Sequence, residues 1–198
     1  MEKSFTKILQ GYRQFRDKYA LGDTSIMQSL SDHGQQPKIM VVSCCDSRVD
    51  PALILQCEPG ELFVVRNVAN IIPPYEKDEA HHGTSAALEF GVCVLKVNHL
   101  ILLGHSQCAG IQTLINSNTN QQDDFISNWV SLIKTPAIKP DHADDYAKLA
   151  LNQSYQHCLS FPWIAAQVAQ QQLIIHRWFF DIKTGQIFRW ADNDYQAI

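Results

Sequence analysis

Long hydrophobic runs are missing from this chain. Even the apolar stretch that begins at Leu100 is only a few residues long, whereas a membrane-spanning helix needs about 20 such residues. The N-terminal region mixes charged with apolar side chains and contains neither the hydrophobic segment nor the small-residue cleavage site of a signal peptide. We therefore expect a cytoplasmic protein that has no membrane partner.

A block of like charges is also missing. The 16 Lys and Arg residues and the 20 Asp and Glu residues are interspersed, and the formal net charge at pH 7 is −4. Since nucleic-acid-binding surfaces concentrate Lys and Arg on one face, we expect no nucleic-acid partner. The composition, 45% hydrophobic and 18% charged, is that of an ordinary globular protein. We expect one domain over residues 1–198, in which residues 1–34 form an N-terminal helical arm.

No two of the six cysteines are spaced as Cys-x-x-Cys, the pattern of many redox and structural zinc motifs. In a reducing compartment such cysteines are more often free thiols or metal ligands than disulfides. If the alternation of a strand that delivers Cys44 continues, Cys45 points to the opposite face. We therefore expect Cys45 to be packed, as we do Cys57, Cys93 and Cys158.

Apolar segments of strand length predict a sheet. Residues 38–43, 62–65 and 100–103 are apolar with little alternation, which is typical of strands buried on both faces of a parallel sheet. Residues 174–182 and 187–190 flank a short turn sequence that contains Gly, so they predict an antiparallel hairpin.

Helical periodicity fills the remaining chain. Residues 51–55 and 84–97 are predicted helices between the strands. Further helical patterns cover residues 109–117, 123–133 and 141–171, the last with a break near Pro162. An amphipathic N-terminal helix has an apolar stripe made of Phe5, Ile8, Leu9, Tyr12, Phe15 and Tyr19. The predicted fold class is α/β, with a mainly parallel central β-sheet, flanking helices, an amphipathic N-terminal helix and a C-terminal antiparallel hairpin.

Two of the predicted strands end on residues that can bind a metal. Cys44 follows the first strand, and His105 and Cys108 follow the third. Sites in open α/β sheets lie at the carboxyl ends of strands, so these side chains are candidates for one site. A Cys₂His set leaves one position of tetrahedral zinc open, as catalytic zinc sites do. Because zinc lowers the pKa of bound water to about 7, small carbonyl compounds and CO₂ are candidate substrates.

Asp46 and Arg48 follow Cys44 by two and four residues. This spacing allows a charge-assisted and bidentate pair beside the metal. Arg48 would keep Asp46 ionised, so the carboxylate could accept a hydrogen bond from the reacting water and orient it. In isolation the same two residues would be an ordinary surface ion pair.

These residues lie in motifs that resemble a known family. Ser43 to Pro51 reads SCCDSRVDP and Gly104 to Gly110 reads GHSQCAG, and this combination resembles the β-class carbonic anhydrases, in particular their plant-like branch. The resemblance extends through EPGELFVVRNVANIIPP at 58–74, GTSAALEFGV at 83–92 and FDIKTG at 180–185.

The resemblance implies an activity, a cofactor and site residues. The activity is the reversible hydration of carbon dioxide to bicarbonate and a proton. The cofactor is one Zn²⁺ per subunit, with Cys44, His105 and Cys108 as ligands and Asp46 as an additional ligand in a closed state. Asp46 and Arg48 are the implied catalytic pair.

The resemblance also implies a substrate pocket and an oligomer. Its contacts with CO₂ or bicarbonate fall on Gln35, Phe63, Val68 and Ala109, and in the plant-like branch the Gln and the aromatic residue come from the neighbouring subunit. We therefore expect a homodimer or a tetramer. Ala109 stands where the family usually has Gly, and Phe90 where plant-like members often have Tyr, so the rate of turnover stays open.

The sequence leaves alternatives open. Relatives with the same zinc site hydrolyse CS₂ or COS, and a non-catalytic zinc or redox module would use the same thiolates. His81 and His82 could relay protons, although a solvated loop is the simpler interpretation. Another branch of the family has an inhibitory bicarbonate pocket with Trp at the position of Val41, and we expect that pocket to be absent here although Arg66 is present.

Overall fold

A six-stranded sheet forms the centre of the computed structural model, which describes residues 2–78, 80–116, 124–136, 140 and 142–198. The order of strands across the sheet is β2-β1-β3-β4-β5-β6. The strands are β1 (Ile39–Cys44), β2 (Leu62–Asn67), β3 (His99–His105), β4 (Ile174–Phe180), β5 (Ile187–Ala191) and β6 (Asp194–Ala197).

The first four strands are parallel and the last two are antiparallel. β1 lies between β2 and β3, and β3 also pairs with β4, all in parallel register. β4, β5 and β6 then form an antiparallel meander. Because parallel neighbours all run the same way, the carboxyl ends of β1, β2, β3 and β4 meet at one edge of the sheet.

Helices connect and cover the strands. They are α1 (Glu2–Tyr19), α2 (Ile26–His33), α3 (Pro51–Ile54), α4 (Gly83–Glu89), α5 (Ala109–Asn116), α6 (Phe125–Val130), α7 (Ala143–Ser160) and α8 (Pro162–Ala169). A 3₁₀ turn at Val68–Asn70 follows β2, and α4 continues into a π-helical turn at Phe90–Val94. None of the described helices is long and apolar enough to cross a membrane.

The main core lies between one face of the sheet and helices α4, α7 and α8. Met40 and Val42 of β1 and Leu100 and Leu102 of β3 are fully buried there, because both faces of these central strands are covered. Leu151 of α7 is also fully buried against this face. A smaller cluster on the opposite face contains Val41, Ile101 and Leu103.

Helix α1 leaves its apolar stripe uncovered in the single chain. The side chains of this stripe are between 41% and 66% exposed at Phe5, Ile8, Leu9, Tyr12 and Phe15. The C-terminal end of α1 is held by an ion pair between Lys18 and Glu58, whose side-chain atoms are 3.3 Å apart. An exposed stripe of this length indicates a surface that another element covers.

The structure confirms the predicted fold class and corrects several details. β6 was not predicted, because Asp194–Ala197 is short and largely polar. The long C-terminal helical pattern divides at Phe161, directly before Pro162, as the proline suggested. Helix α6 ends at Val130 instead of 133, and the predicted helix bounds at 117, 123 and 141 lie outside the described residues.

The expectation of packed cysteines was wrong at three positions. Cys45 and Cys93 are exposed and Cys57 is half-buried, whereas Cys158 is fully buried as expected. Cys45 is exposed because β1 ends at Cys44, so the alternation of the strand does not continue.

The close approach of β3 to α7 gives a prediction about stability. A Cβ added at Gly104 would lie 2.9 Å from Leu151 Cδ1, so Gly104→Ala should lower the free energy of unfolding by about 1–3 kcal/mol. Gly83→Ala is the control, since nothing lies within 4 Å of its added Cβ, and it should change stability by less than about 1 kcal/mol. Urea denaturation measures both, and equal stability of Gly104→Ala and wild type would contradict the packing described.

Candidate active site

Three metal-binding side chains meet at the carboxyl edge of the sheet. Cys44 is the last residue of β1, His105 is the last residue of the neighbouring β3, and Cys108 directly precedes α5. Their ligand atoms all lie within 4.8 Å of one another, and the two sulfur atoms are 3.9 Å apart. All three residues are buried, with exposed fractions of 5% or less. The parallel register of β1 and β3 thus brings together residues that are 61 to 64 positions apart.

The orientation of His105 fits metal binding. Its Nδ1 lies 2.8 Å from the carbonyl oxygen of Ser106, which accepts the Nδ1 proton, so the lone pair of the neutral ring is on Nε2. Nε2 is buried and has no hydrogen-bond partner in the described structure. A buried acceptor without a partner is costly, and a cation that the two sulfur atoms share would satisfy it.

The electrostatics of the two thiols also favour a cation. The hydrogen bond from Cys108 lowers the pKa of Cys44 to about 4. The same hydrogen bond, together with burial, raises the pKa of Cys108. Two buried sulfur atoms this close cannot both ionise unless a positive charge lies between them. Two thiolates and one imidazole are a donor set that zinc prefers, with a fourth position left over.

Asp46 and Arg48 form the bidentate pair that the spacing suggested. Arg48 Nε donates to Asp46 Oδ1 over 2.9 Å, and Nη2 donates to Oδ2 over 2.7 Å. The backbone N–H of Arg48 also donates to Oδ1. These bonds from Arg48 hold the pKa of the Asp46 carboxyl well below its usual range. Asp46 is not part of the three-residue cluster.

Arg66 fixes the loop that carries this pair, a role that sequence reasoning missed. Its guanidinium donates to the carbonyl oxygens of Cys44 and Asp46 over 2.9 Å and 2.8 Å. A third bond, of 2.9 Å, joins it to the carboxylate of Asp50, the residue that caps α3. Contacts with backbone carbonyls leave no pattern in a sequence, so the sequence alone does not indicate this role of Arg66.

The four predicted substrate contacts fall in two places. Val68 and Ala109 lie near the cluster: a Cβ at Gly110 would come within 2.7 Å of Val68 Cγ1, which places Val68 against the start of α5. Phe63 pairs with Met40 in the first half of β2, and its ring contacts Phe90 with a centroid distance of 5.7 Å.

Gln35, the fourth predicted contact, is exposed in the segment between α2 and β1. This segment leads into the amino end of β1, whereas Cys44 is at the carboxyl end. The six residues of β1 separate those ends by about 17 Å. The single chain therefore does not bring Gln35 or Phe63 to its own metal cluster.

An open cleft of about 700 Å³ adjoins the end of β2. Cys45, Asn67 and Val68 contribute to one side of it, and Trp129 to another. Trp129 Nε1 donates to the carbonyl oxygen of Val68 over 2.7 Å, which ties α6 to the turn after β2. His81 and His82 line the same cleft, but His82 is engaged with Asp78 through a 2.7 Å hydrogen bond.

Comparison with known proteins agrees with this geometry. The family model for carbonic anhydrase matches residues 39–187. The chain is 35% identical over 204 residues to β-carbonic anhydrase 5, chloroplastic, of Arabidopsis thaliana, in an alignment that covers 98% of this chain and 66% of the plant protein. The chain therefore spans just under two thirds of that relative's length.

Solved structures are similar as well. The structure of the β-carbonic anhydrase CcaA superposes with a TM-score of 0.86 at 29% identity, covering 98% of this chain and 100% of that chain. One of the tetrameric β-carbonic anhydrases of the ascomycete Sordaria macrospora gives a TM-score of 0.76 at 28% identity, covering 96% of this chain and 95% of that chain.

The sheet and its Cys-His-Cys cluster define an α/β protein with a candidate metal centre at the carboxyl edge of parallel strands. The chain belongs to the β-carbonic anhydrase family, whose members are zinc-dependent lyases.

The Asp46–Arg48 pair predicts how the site responds to pH. Arg48→Met removes the side-chain bonds, so the pKa of Asp46 should rise toward its ordinary value of 3.8, measurable by NMR titration of the carboxyl carbon. Because the wild-type pKa is depressed in the folded state, the stability that Asp46 contributes is present above about pH 4 and is lost as the pH falls below it. Arg13→Met, on exposed α1, should leave the pKa of Asp46 unchanged. An unchanged pKa in Arg48→Met would contradict the role of the pair.

Proposed function

We propose that this protein catalyses the reversible hydration of carbon dioxide to bicarbonate and a proton. The observation that carries the proposal is the buried Cys44, His105 and Cys108 cluster, whose ligand atoms lie within 4.8 Å of one another beside an ionised carboxylate. Family membership supports the same activity. In this proposal one Zn²⁺ per subunit is held by Cys44 Sγ, His105 Nε2 and Cys108 Sγ.

Zinc, when bound, supplies a Lewis acid that makes a coordinated water acidic near neutral pH. Asp46 orients the reacting water: because Arg48 keeps its carboxylate ionised, Asp46 can only accept a hydrogen bond, which fixes one proton of the water and leaves a lone pair directed toward the substrate. Arg66 holds the backbone at both Cys44 and Asp46, so the carboxylate keeps its distance from the metal ligands.

Val68 and Ala109 provide a small apolar wall for CO₂ beside the cluster. The methyl group of Ala109 makes this wall more crowded than the Gly of most relatives would, so it bears on the rate and not on the type of reaction. In this proposal the product proton passes to the buffer. The protein acts in the cytoplasm, where its free cysteines stay reduced.

We further propose that the active protein is a homo-oligomer of single-domain subunits. Gln35 and Phe63, which lie toward the other end of the sheet from their own Cys44, would reach the metal site of a second copy. The exposed apolar stripe of α1 supports this arrangement, because a second subunit would cover it. The Sordaria macrospora relatives are tetrameric, and a dimer or a tetramer is compatible with both observations.

Cys44 and Cys45 offer a matched test of the metal centre. Cys44→Ser should reduce the zinc content to a small fraction of one per subunit and lower kcat/KM for CO₂ hydration by at least about 100-fold, because it removes one of three ligands. Cys45→Ser changes the adjacent exposed thiol and should keep both within about twofold of wild type. Stopped-flow assays with a pH indicator, from about pH 6.5 to about pH 9, measure the rate. Full zinc content and activity in Cys44→Ser, or a zinc-loaded wild type without activity, would contradict the proposal.

A substitution at Ile8 tests the proposed association of subunits through α1. Ile8→Glu places a charge in the middle of the apolar stripe of α1 and should weaken subunit association at least tenfold, roughly the effect of losing one central interface residue. Gln14→Glu makes the same change of charge on the polar face of the helix and should leave association unchanged. Light scattering over a range of concentrations measures the mass. A wild type that stays monomeric and fully active would overturn the proposal.

A further inference from the structure

The hydrogen bond that orients His105 depends on a residue that is itself anchored by side-chain contacts. Ser106, whose carbonyl accepts the Nδ1 proton of His105, is only 3% exposed. Its hydroxyl donates to Asp181 Oδ1 over 3.2 Å and accepts the backbone N–H of Ile182 over 2.9 Å. Its backbone N–H donates to the carbonyl oxygen of Phe180 over 2.9 Å. Three bonds therefore attach this one residue to the chain at 180–182.

Asp181 occupies the first position of the turn between β4 and β5. Besides the Ser106 hydroxyl, its carboxylate accepts the backbone N–H of Lys183 and the hydroxyl of Thr184, over 3.0 Å and 2.7 Å. Its backbone carbonyl accepts the N–H of Gly185 over 2.8 Å. The carboxylate is thus fixed by the turn on one side and fixes Ser106 on the other.

The residue after Ser106 makes this anchoring necessary. Gln107 has a φ of +56°, a conformation that a residue with a side chain adopts only at a cost. Its N–H is held by Asp144 Oδ1 over 2.9 Å. This loop carries the chain from His105 to Cys108. A rotation of the peptide group that follows Ser106 would break the hydrogen bond to His105 Nδ1 and would shift the backbone that leads to Cys108.

We propose that Ser106 and Asp181 are positioning residues of the metal centre, through which the C-terminal hairpin fixes the imidazole of His105. Asp181 and the N–H of Ile182 hold Ser106, and the carbonyl of Ser106 holds the Nδ1 proton, so Nε2 stays directed at the position between the two sulfur atoms. Groups that orient a ligand in this way contribute to metal affinity even though they do not touch the metal. The inference rests on the proposed zinc site.

A purely structural role for these bonds is the alternative, since they also join the hairpin to β3. Ser106→Ala and Thr184→Val separate the two roles. Ser106→Ala removes the hydroxyl that contacts both Asp181 and Ile182. Thr184→Val removes the hydroxyl that stabilises the same turn through Asp181 Oδ2, but it leaves the bond between Ser106 and Asp181 in place. Both variants weaken the hairpin, and only the first loosens His105.

The test is zinc affinity, measured on the zinc-loaded protein by competition with a chelator, together with urea denaturation of each variant. Ser106→Ala should raise the dissociation constant for zinc by about 10- to 100-fold, whereas Thr184→Val should stay within about twofold of wild type at a similar loss of stability. The Nδ1 proton of His105, observed by NMR in the imidazole region, should exchange faster with water in Ser106→Ala than in Thr184→Val.

The outcomes are distinguishable. Tight zinc binding by wild type and equally tight binding by Ser106→Ala would overturn this inference alone, as would an equal loss of affinity in both variants. A wild type that does not bind zinc would overturn the proposed function as well. Asp181→Ala provides the same test at a residue of the turn if Ser106→Ala does not fold, and unchanged zinc affinity in that variant would also overturn the inference.

Discussion

The two buried sulfur atoms of Cys44 and Cys108, 3.9 Å apart, impose the constraint on which the rest of the site depends. The imidazole of His105 lies beside them, and its buried Nε2 has no hydrogen-bond partner in the described structure. Burial of such a group is unfavourable unless a cation completes it. The surrounding contacts therefore keep the side chains of Cys44, His105 and Cys108 together, although their burial without a cation is unfavourable.

Those contacts come from three separate parts of the chain. Arg66 of β2 holds the carbonyls at Cys44 and Asp46, and Asp181, after β4, holds Ser106. Asp144, at the start of α7, accepts the backbone N–H of Gln107, which lies between His105 and Cys108. Thus β1 and β3 each end on a candidate ligand, and β2 and the segment after β4 each provide a residue that fixes the backbone beside one. This dependence explains how sequence-distant elements produce a site that is rigid enough to orient a water molecule.

Sequence patterns predicted the first five strands and the three residues of the Cys-His-Cys cluster, because both have local signatures. Continuous apolar runs predict β1 and β3. The Cys-x-Asp-x-Arg and His-x-x-Cys motifs begin where these two runs end in the sequence. Contacts to backbone atoms have no such signature, so the contacts of Arg66 and Ser106 are evident only in the three-dimensional structure. The exposure of Cys45 was missed for a related reason: the end of β1 at Cys44 depends on the pairing with its neighbours and not on the residue that follows.

X-ray absorption spectroscopy of zinc in the purified protein near neutral pH reports the ligand set of the proposed site directly. We expect two sulfur ligands at about 2.3 Å and two lighter ligands at about 2.0–2.1 Å, one of them an imidazole nitrogen and the other an oxygen of solvent. Replacement of Asp46 by Asn should leave that pattern unchanged, because the carboxylate is held by Arg48 and not by the metal. Four sulfur ligands, or zinc without any sulfur ligand, would contradict it.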